Sequence, residues 1–289
     1  MKTRFLLLFV AITLGSSVMA ATIKVTSNDP IGIGSLKEAM AAATDGDIIV
    51  FEFQAPNNDI LLDDAIDMKS ITINGINTIN GLKVVLKQTV AGKKTFDVAA
   101  GVSASLSNLI FDGSAGASYP SVTAVVGSTL NIDNCIFRNI DSGSNNGSAA
   151  RLQGVAKVTN CLFENNTCSG SYGGPALCIY NAADITVDNC SFVGNSSTGA
   201  PNRGGGAIVV RGTVDDPVNV KIMNSTFVNN LSTNTGGAIL ASVQSSGDRP
   251  VNLTVVNCTF AGNQGDGAIS TLVTVKGTVT SLSGEFDCR

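Results

Sequence analysis

The chain has 289 residues, a formal net charge of −4, 31 glycines and no histidine. A negative balance disfavours nucleic acid or an anionic membrane surface as a partner, and the missing imidazole excludes every histidine-dependent triad, dyad or metal site. Charged residues are only 14% and aromatics 5%, against roughly 25% charged in an ordinary globular domain, so many outward positions must be Ser, Thr or Asn.

Residues 1–20 read as a secretory leader. Lys2 and Arg4 give the charged start, residues 5–14 an apolar run too short to span a bilayer, and Val18-Met19-Ala20 a small-x-small cleavage site. No cysteine sits at that site to carry a lipid, and no later segment has the length and apolarity of a membrane helix. The expectation is an exported chain, destined for the periplasm, the outer-membrane surface or the exterior. Residues 21–70 then form an N-terminal cap and first strands, and residues 71–289 a repeat domain.

Within the cap, Ile23-Lys24-Val25 reads as a strand. Ser35 can N-cap a short helix with Glu38 at the capping-box position, which would turn Leu36, Met40 and Ala43 towards the rest of the chain. Residues 47–51 read as the first full strand, and residues 71–75 open the regular pattern.

From residue 108 one unit recurs. Asn160-Cys161-Leu162-Phe163, Asn189-Cys190-Ser191-Phe192, Asn224-Ser225-Thr226-Phe227 and Asn257-Cys258-Thr259-Phe260 are each followed by Asn, at 166, 195, 230 and 263. Weaker copies start at Asn108, with Phe111, and at Asn134, with Phe137, and these lack the second Asn. The first asparagines lie 26, 26, 29, 35 and 33 residues apart. Such a period means a solenoid in which each interval is one coil and the growth sits in loops. Apolar and polar residues alternate before each Asn, as in Leu253, Val255 before Asn257, which is the period of a half-buried strand. After Asn257, Cys258 and Phe260 face inward. That phase shift requires one left-handed residue at a bend, a conformation Asn tolerates well. Stacked coils would bring Asn108, Asn134, Asn160, Asn189, Asn224 and Asn257 into an amide ladder. Phe111, Phe137, Phe163, Phe192, Phe227 and Phe260 would form a core column. Between these units run Gly205-Gly206-Ala207-Ile208 and Gly236-Gly237-Ala238-Ile239, with looser copies at 173–177 and 267–269, marking corners too tight for a side chain.

There are seven cysteines. Cys135, Cys161, Cys190 and Cys258 share the inward place after the ladder Asn, which Leu109 and Ser225 fill in the other coils, so they read as small buried side chains. Parallel side-chain vectors on neighbouring coils suit a disulfide poorly. Cys168 and Cys178 could pair with each other, and Cys288 lies near the end. No Cys-x-x-Cys spacing is present, so no zinc site and no cofactor is expected.

The alternating Gly-Gly-Ala-Ile and Phe-x-x-Asn motifs, over residues 172–269, resemble the repeats of chlamydial polymorphic outer-membrane proteins and related bacterial right-handed parallel β-helix adhesins. The opening Gly34-Ser35-Leu36-Lys37-Glu38-Ala39-Met40 resembles the segment ahead of many bacterial parallel β-helices. The resemblance implies an all-β, single-stranded right-handed parallel β-helix, a solenoid with a short N-terminal capping helix. It departs from the pattern in lacking a membrane β-barrel at its C-terminal end. No capping pattern is legible in residues 281–289 either, so the expectation is either a shortened relative of longer proteins or an end-to-end or C-terminal oligomer contact that covers that end.

No catalytic, metal or cofactor residue stands out. The lyase and polygalacturonase motifs of pectin-lyase-like enzymes are not in the sequence. The acid pairs Asp63-Asp64 and Asp215-Asp216 sit beside turns, where Asp is favoured anyway. Arg151, Arg203 and Arg211 could line one face as a patch for an acidic glycan. The leading expectation is a non-enzymatic, adhesin-like or surface-display scaffold that binds a glycan or cell-surface partner through the loops at 142–149, 196–203 and 242–250. The alternative is a polysaccharide-degrading lyase or glycoside hydrolase of the pectin-lyase-like fold, a fold that hosts both roles.

Overall fold

A computed structural model describes residues 19–287 apart from 56, 117–118, 145–148, 171–172, 200–203, 213–216, 234, 244–250, 273–279 and 283–285, with side chains up to residue 269. The leader lies outside the described residues except for its last two positions.

The chain winds as an all-β, right-handed parallel solenoid. One coil shows the plan. Thr129–Asp133 alternates Leu130 and Ile132 inward with Thr129, Asn131 and Asp133 outward. Asn134 bends the chain into Ile136–Arg138, and Ala150–Leu152 then returns it to Val155–Thr159, directly beside the starting strand. Repetition yields three long parallel sheets. The first, called sheet A here, has ten strands and contains Thr129–Asp133. Sheet B has nine and contains Ile136–Arg138, and sheet C has eight and contains Ala150–Leu152. Thr167–Cys168, Ser196–Ser197 and Leu231–Ser232 form a short fourth sheet between B and C.

Two left-handed corners bracket each sheet B strand from Ile136–Arg138 to Thr259–Ala261, and Leu109–Asp112 has the first of them. The six ladder asparagines have φ between 49° and 58°, and five residues later come Asn139, Asn165, Gly194, Asn229 and Gly262, with φ between 53° and 62°. Each reversal of handedness shifts the inward–outward phase, so an apolar row can continue around a bend. Asn and Gly alone take this backbone at little cost. Gly205 and Gly206 have a different reason. Neither has a positive φ, but a Cβ on Gly205 would lie 2.0 Å from the Ile208 carbonyl oxygen, and one on Gly206 1.9 Å from that of Gly237. These glycines let neighbouring coils touch.

The interior is one continuous apolar core. Phe111, Phe137, Phe163, Phe192, Phe227 and Phe260 stack face to face, with centroids 4.5–4.9 Å apart and planes within 3–6° of parallel. An isolated pair prefers an offset or edge contact. Here the coil repeat of about 4.8 Å sets the spacing. The column starts with an edge contact between Phe96 and Phe111, 5.9 Å apart and 82° inclined.

The N-terminal end is closed by the helix Leu36–Ala42, with Leu36, Met40 and Ala43 buried beneath it. Ser35 caps it by accepting from the Glu38 N–H, and Glu38 reaches back to the Gly34 N–H, one residue earlier than the usual reciprocal bond. Thr22–Val25 is the edge strand of sheet A. Ile48–Phe51, Asp59–Leu62 and Ile66–Asp67 join sheets A, B and C in turn, so residues before 71 already form a full coil. At the other end, Thr280–Leu282 and Phe286–Asp287 extend sheets A and B. Among the described residues no helix is long and apolar enough to cross a membrane.

Candidate functional site

The first-asparagine ladder runs along the corner between sheets A and B and is exposed except at the half-buried Asn108. Asn108 Nδ2 donates to Asn74 Oδ1 (2.9 Å), Asn134 to Asn108 (2.7 Å), Asn189 to Asn160 (2.8 Å) and Asn257 to Asn224 (2.6 Å). Two rungs differ from an all-amide ladder. Asn160 donates to Asp133 Oδ1 and Asn224 to Asp188 Oδ1, each at 2.7 Å. These carboxylates come from the preceding coil and point outward from sheet A. Lys83 lies across two coils and donates to the Asn134 carbonyl (2.6 Å) and Oδ1 (3.0 Å).

The outer face of sheet A borders this ladder. In register along it lie Ser105, Asn131, Lys157, Thr186 and Lys221, and beside them Ser107, Asp133, Thr159, Asp188 and Met223. A shallow open depression of about 520 Å³ is lined by Asn131, Asp133, Lys157, Thr159, Asn160 and Asp188. Thr159 Oγ1 donates to Asp133 Oδ1 at 2.6 Å. The depression therefore presents amide, hydroxyl, ammonium and carboxylate groups on a rigid, evenly spaced frame. It has no aromatic side chain in its lining.

A second ladder escaped sequence reasoning. The Asn that follows each later Phe is fully inside the solenoid: Asn166, Asn195 and Asn230 are 0% exposed and Asn263 4%. Asn195 Nδ2 donates to the Phe163 carbonyl and to Asn230 Oδ1, both at 2.9 Å, and its N–H donates to the same Oδ1 at 3.0 Å. Asn166 and Asn230 repeat this pattern with the next coil. The signal was the second Asn itself, which stood in the motif with no role assigned to it.

The acid pair Asp63-Asp64 does not form a joint site. Asp63 pairs with Lys37, and Asp64 pairs with Lys93 at 2.8 Å. Hydrogen bonds from those two lysines are the main reason both carboxyls lie below their ordinary value. Asp215, Asp216 and Arg203 lie outside the described residues, as do large parts of the loops at 142–149, 196–203 and 242–250. Arg151 and Arg211 do share a face, the outside of sheet C. Arg151 pairs in register with Cys178, Cys178 with Val209, and Tyr180 with Arg211.

Cys135, Cys161, Cys190 and Cys258 are buried thiols whose Sγ donates to a carbonyl two residues earlier, at 3.0–3.3 Å. Ser225 makes the same bond to Met223 at 2.6 Å. The hydrogen bond between Cys161 and Cys135 raises the Cys161 pKa, and that between Cys190 and Cys161 raises the Cys190 pKa, well above the ordinary thiol value. The Cys168–Cys178 pairing that the sequence left possible is not formed: both are buried thiols, not a disulfide. Cys178 is on the outward side of sheet C, where it is buried with Val209 and Leu240 in a small apolar cluster rather than on an open corner. Cys288 lies outside the described residues.

No match was found among curated proteins. The profile of one family, described as a right handed beta helix region, matches residues 98–276, more than half of the chain. That span begins at the coil that opens the phenylalanine column and includes every repeat of the Asn and Gly-Gly motifs. On these grounds, with coils, sheets and register in agreement, the chain belongs to the right-handed β-helix family.

Proposed function

We propose that this protein is an exported binding scaffold, adhesin-like or displayed at a surface, that holds a glycan or cell-surface partner along the outer face of sheet A. The observation that carries this reading is the polar depression at Asn131, Asp133, Lys157, Thr159, Asn160 and Asp188, bordered by the exposed amide ladder. Its groups recur with the coil spacing of about 4.8 Å. A repeating, rigid array of donors and acceptors suits an extended partner laid along the solenoid, and a pre-ordered surface loses little entropy on binding. The variable loops would extend that surface at the coil edges.

One observation favours an enzyme of the same fold. Asp133 and Asp188 lie two coils apart, which separates equivalent backbone positions by about 9–10 Å. This is near the separation of roughly 6.5–9.5 Å between the carboxyls of an inverting glycoside hydrolase. In this structure, however, both carboxylates serve as acceptors for ladder amides, and such an enzyme needs one of them as a proton donor.

The test is a panel of acidic and neutral polysaccharides offered to the purified protein, with and without Ca²⁺. Pull-down is scored beside unsaturated products and new reducing ends. Saturable binding without products, lost in K157A, is the expected result. Turnover that disappears in D133N or D188N would replace the scaffold reading with the enzymatic one.

A further inference from the structure

The outside of sheet B carries a pattern that the depression on sheet A does not use. Strand alternation sets two outward rows on it, with one residue per coil in each. The first row runs Asp59, Val85, Ile110, Ile136, Leu162 and Ser191. The second runs Leu61, Lys87, Asp112, Arg138, Glu164 and Val193, with Lys87 beside Asp112 because the preceding Leu86 pairs with Phe111. Four aliphatic side chains thus stand in an unbroken line between a carboxylate and a hydroxyl. All four are partly exposed, and Leu61 is 48% exposed. Single apolar residues on a surface need no explanation, but a contiguous row bordered by charge marks an interaction face.

Both rows are palindromes of chemical class. From either end the first reads polar, four apolar, polar. The second reads apolar, four charges of alternating sign, apolar, and reversing it turns every charge into its opposite. Consider a twofold axis parallel to the strands, between the coil of Ile110 and that of Ile136. It lays each row on its own reverse in a second copy. Val85 then meets Leu162, and Ile110 meets Ile136. In the other row Lys87 meets Glu164, Asp112 meets Arg138 and Leu61 meets Val193, while Asp59 meets the Ser191 hydroxyl. Every contact occurs twice, as an isologous interface requires. Sliding one copy by a coil sets Asp112 against Glu164 or Lys87 against Arg138, and such like-charge contacts oppose the wrong register.

The charges inside one copy fit this arrangement. Arg138 Nε donates to Asp112 Oδ2 at 2.9 Å, and Asp112 is only 7% exposed, so this central pair is settled within each copy. Lys87 Nζ donates to Asp59 Oδ2 at 2.6 Å. An ammonium has three donor hydrogens and can hold a second carboxylate as well. Glu164 has no ion pair among the described residues.

We infer that sheet B is the contact face of a side-by-side homodimer, in which two solenoids run in opposite directions and share these six coils. The apolar row supplies the attraction, and the charge row fixes the register. Sheet B strands are short, so the face is small and the association is weak and reversible, with a Kd of about 10–100 μM. The dimer does not depend on what sheet A binds.

The test is sedimentation velocity on the purified full chain over a concentration series reaching about 0.5 mM, well above that Kd. A monomer–dimer equilibrium is expected. I136D should weaken it by roughly tenfold or more, because the substitution enters the interface twice. E164K sets lysine against Lys87 and should also weaken it. K87E/E164K exchanges the two charges and should restore the dimer, a rescue that a general loss of solubility or folding would not give. Ile136 and Glu164 face outward, so the melting temperatures of the dilute variants should stay near that of the wild type. A chain that is monomeric throughout the series overturns the dimer, and if I136D then loses polysaccharide pull-down, the face belongs to a glycan instead. A dimer as tight in I136D as in the wild type also overturns the assignment to sheet B.

Discussion

Two asparagine ladders run the length of the repeats a few residues apart, and they are held for different reasons. The outer ladder, at Asn134, Asn160, Asn189, Asn224 and Asn257, is exposed, and two of its rungs donate to aspartate instead of an amide. Water can replace any of its bonds, so what the position demands is the left-handed backbone. The inner ladder, at Asn166, Asn195, Asn230 and Asn263, is closed to water, and among the described residues it accepts no substitute in the last four coils. Each inner amide satisfies a carbonyl of the preceding coil and accepts from or donates to its neighbours. Buried peptide groups at a bend must be paired, and the side chain does what a strand ladder cannot do there. The same residue type thus secures backbone conformation at one corner and hydrogen-bond completeness at the other.

The contrast can be broken by substitution, with urea unfolding followed by far-UV circular dichroism as the measurement. The largest effect should come from the column beside the inner ladder. F192A leaves a cavity between two stacked rings and is expected to cost about 3–5 kcal/mol. N195A should follow at about 2–3 kcal/mol, because it strips the Phe163 carbonyl and the Asn166 N–H of a partner in a dry site. N189A should cost only about 1 kcal/mol, nearly all of it because Ala lacks the short polar side chain that lets Asn hold the left-handed region. N189G separates the causes. If the conformation is what matters, glycine restores most of the loss, whereas a loss equal to that of N189A would make the outer amide bond the stabilising element. C190S should change stability by less than about 1 kcal/mol, since the hydroxyl can donate to the Asp188 carbonyl as Ser225 does to Met223.

The cap offers a smaller test with a sign fixed by linkage. Asp47 accepts from the Thr44 and Ala21 N–H groups, each at 2.8 Å, and these bonds hold its carboxyl below the ordinary value. A lowered folded-state pKa means that its stabilisation is present above about pH 3.9 and fades as the pH falls through the still lower folded value. The melting temperature of D47N should therefore fall less steeply than that of the wild type between about pH 4 and pH 2. Parallel acid profiles for the two proteins would remove Asp47 from the account of the cap.

Much of this was legible in the residues. The Asn-x-x-Phe spacing, the alternation before it and the Gly-Gly-Ala-Ile runs announced stacked coils, and Ser35 with Glu38 marked the helix that closes the end. What stayed hidden was of one kind. The sequence showed two asparagines per repeat but not which one was wet. It showed Cys168 and Cys178 ten residues apart but not that both are buried as thiols. It offered Arg151 and Arg211 for one face but not that Arg211 is almost wholly buried there.

Period and phase are local properties, set by which side of a strand each residue occupies and by the few residue types that accept a left-handed bend. They depend on nearest neighbours in the chain, so residue order determined the coil, its corners and its core column. Burial on the outside of a coil is not local. Whether Arg211 or Cys178 meets water depends on groups far away in the chain, and whether Asp133 joins the amide ladder depends on a contact across 27 residues. Only the stacked structure decides those, because the groups that make them are brought together by winding and not by sequence.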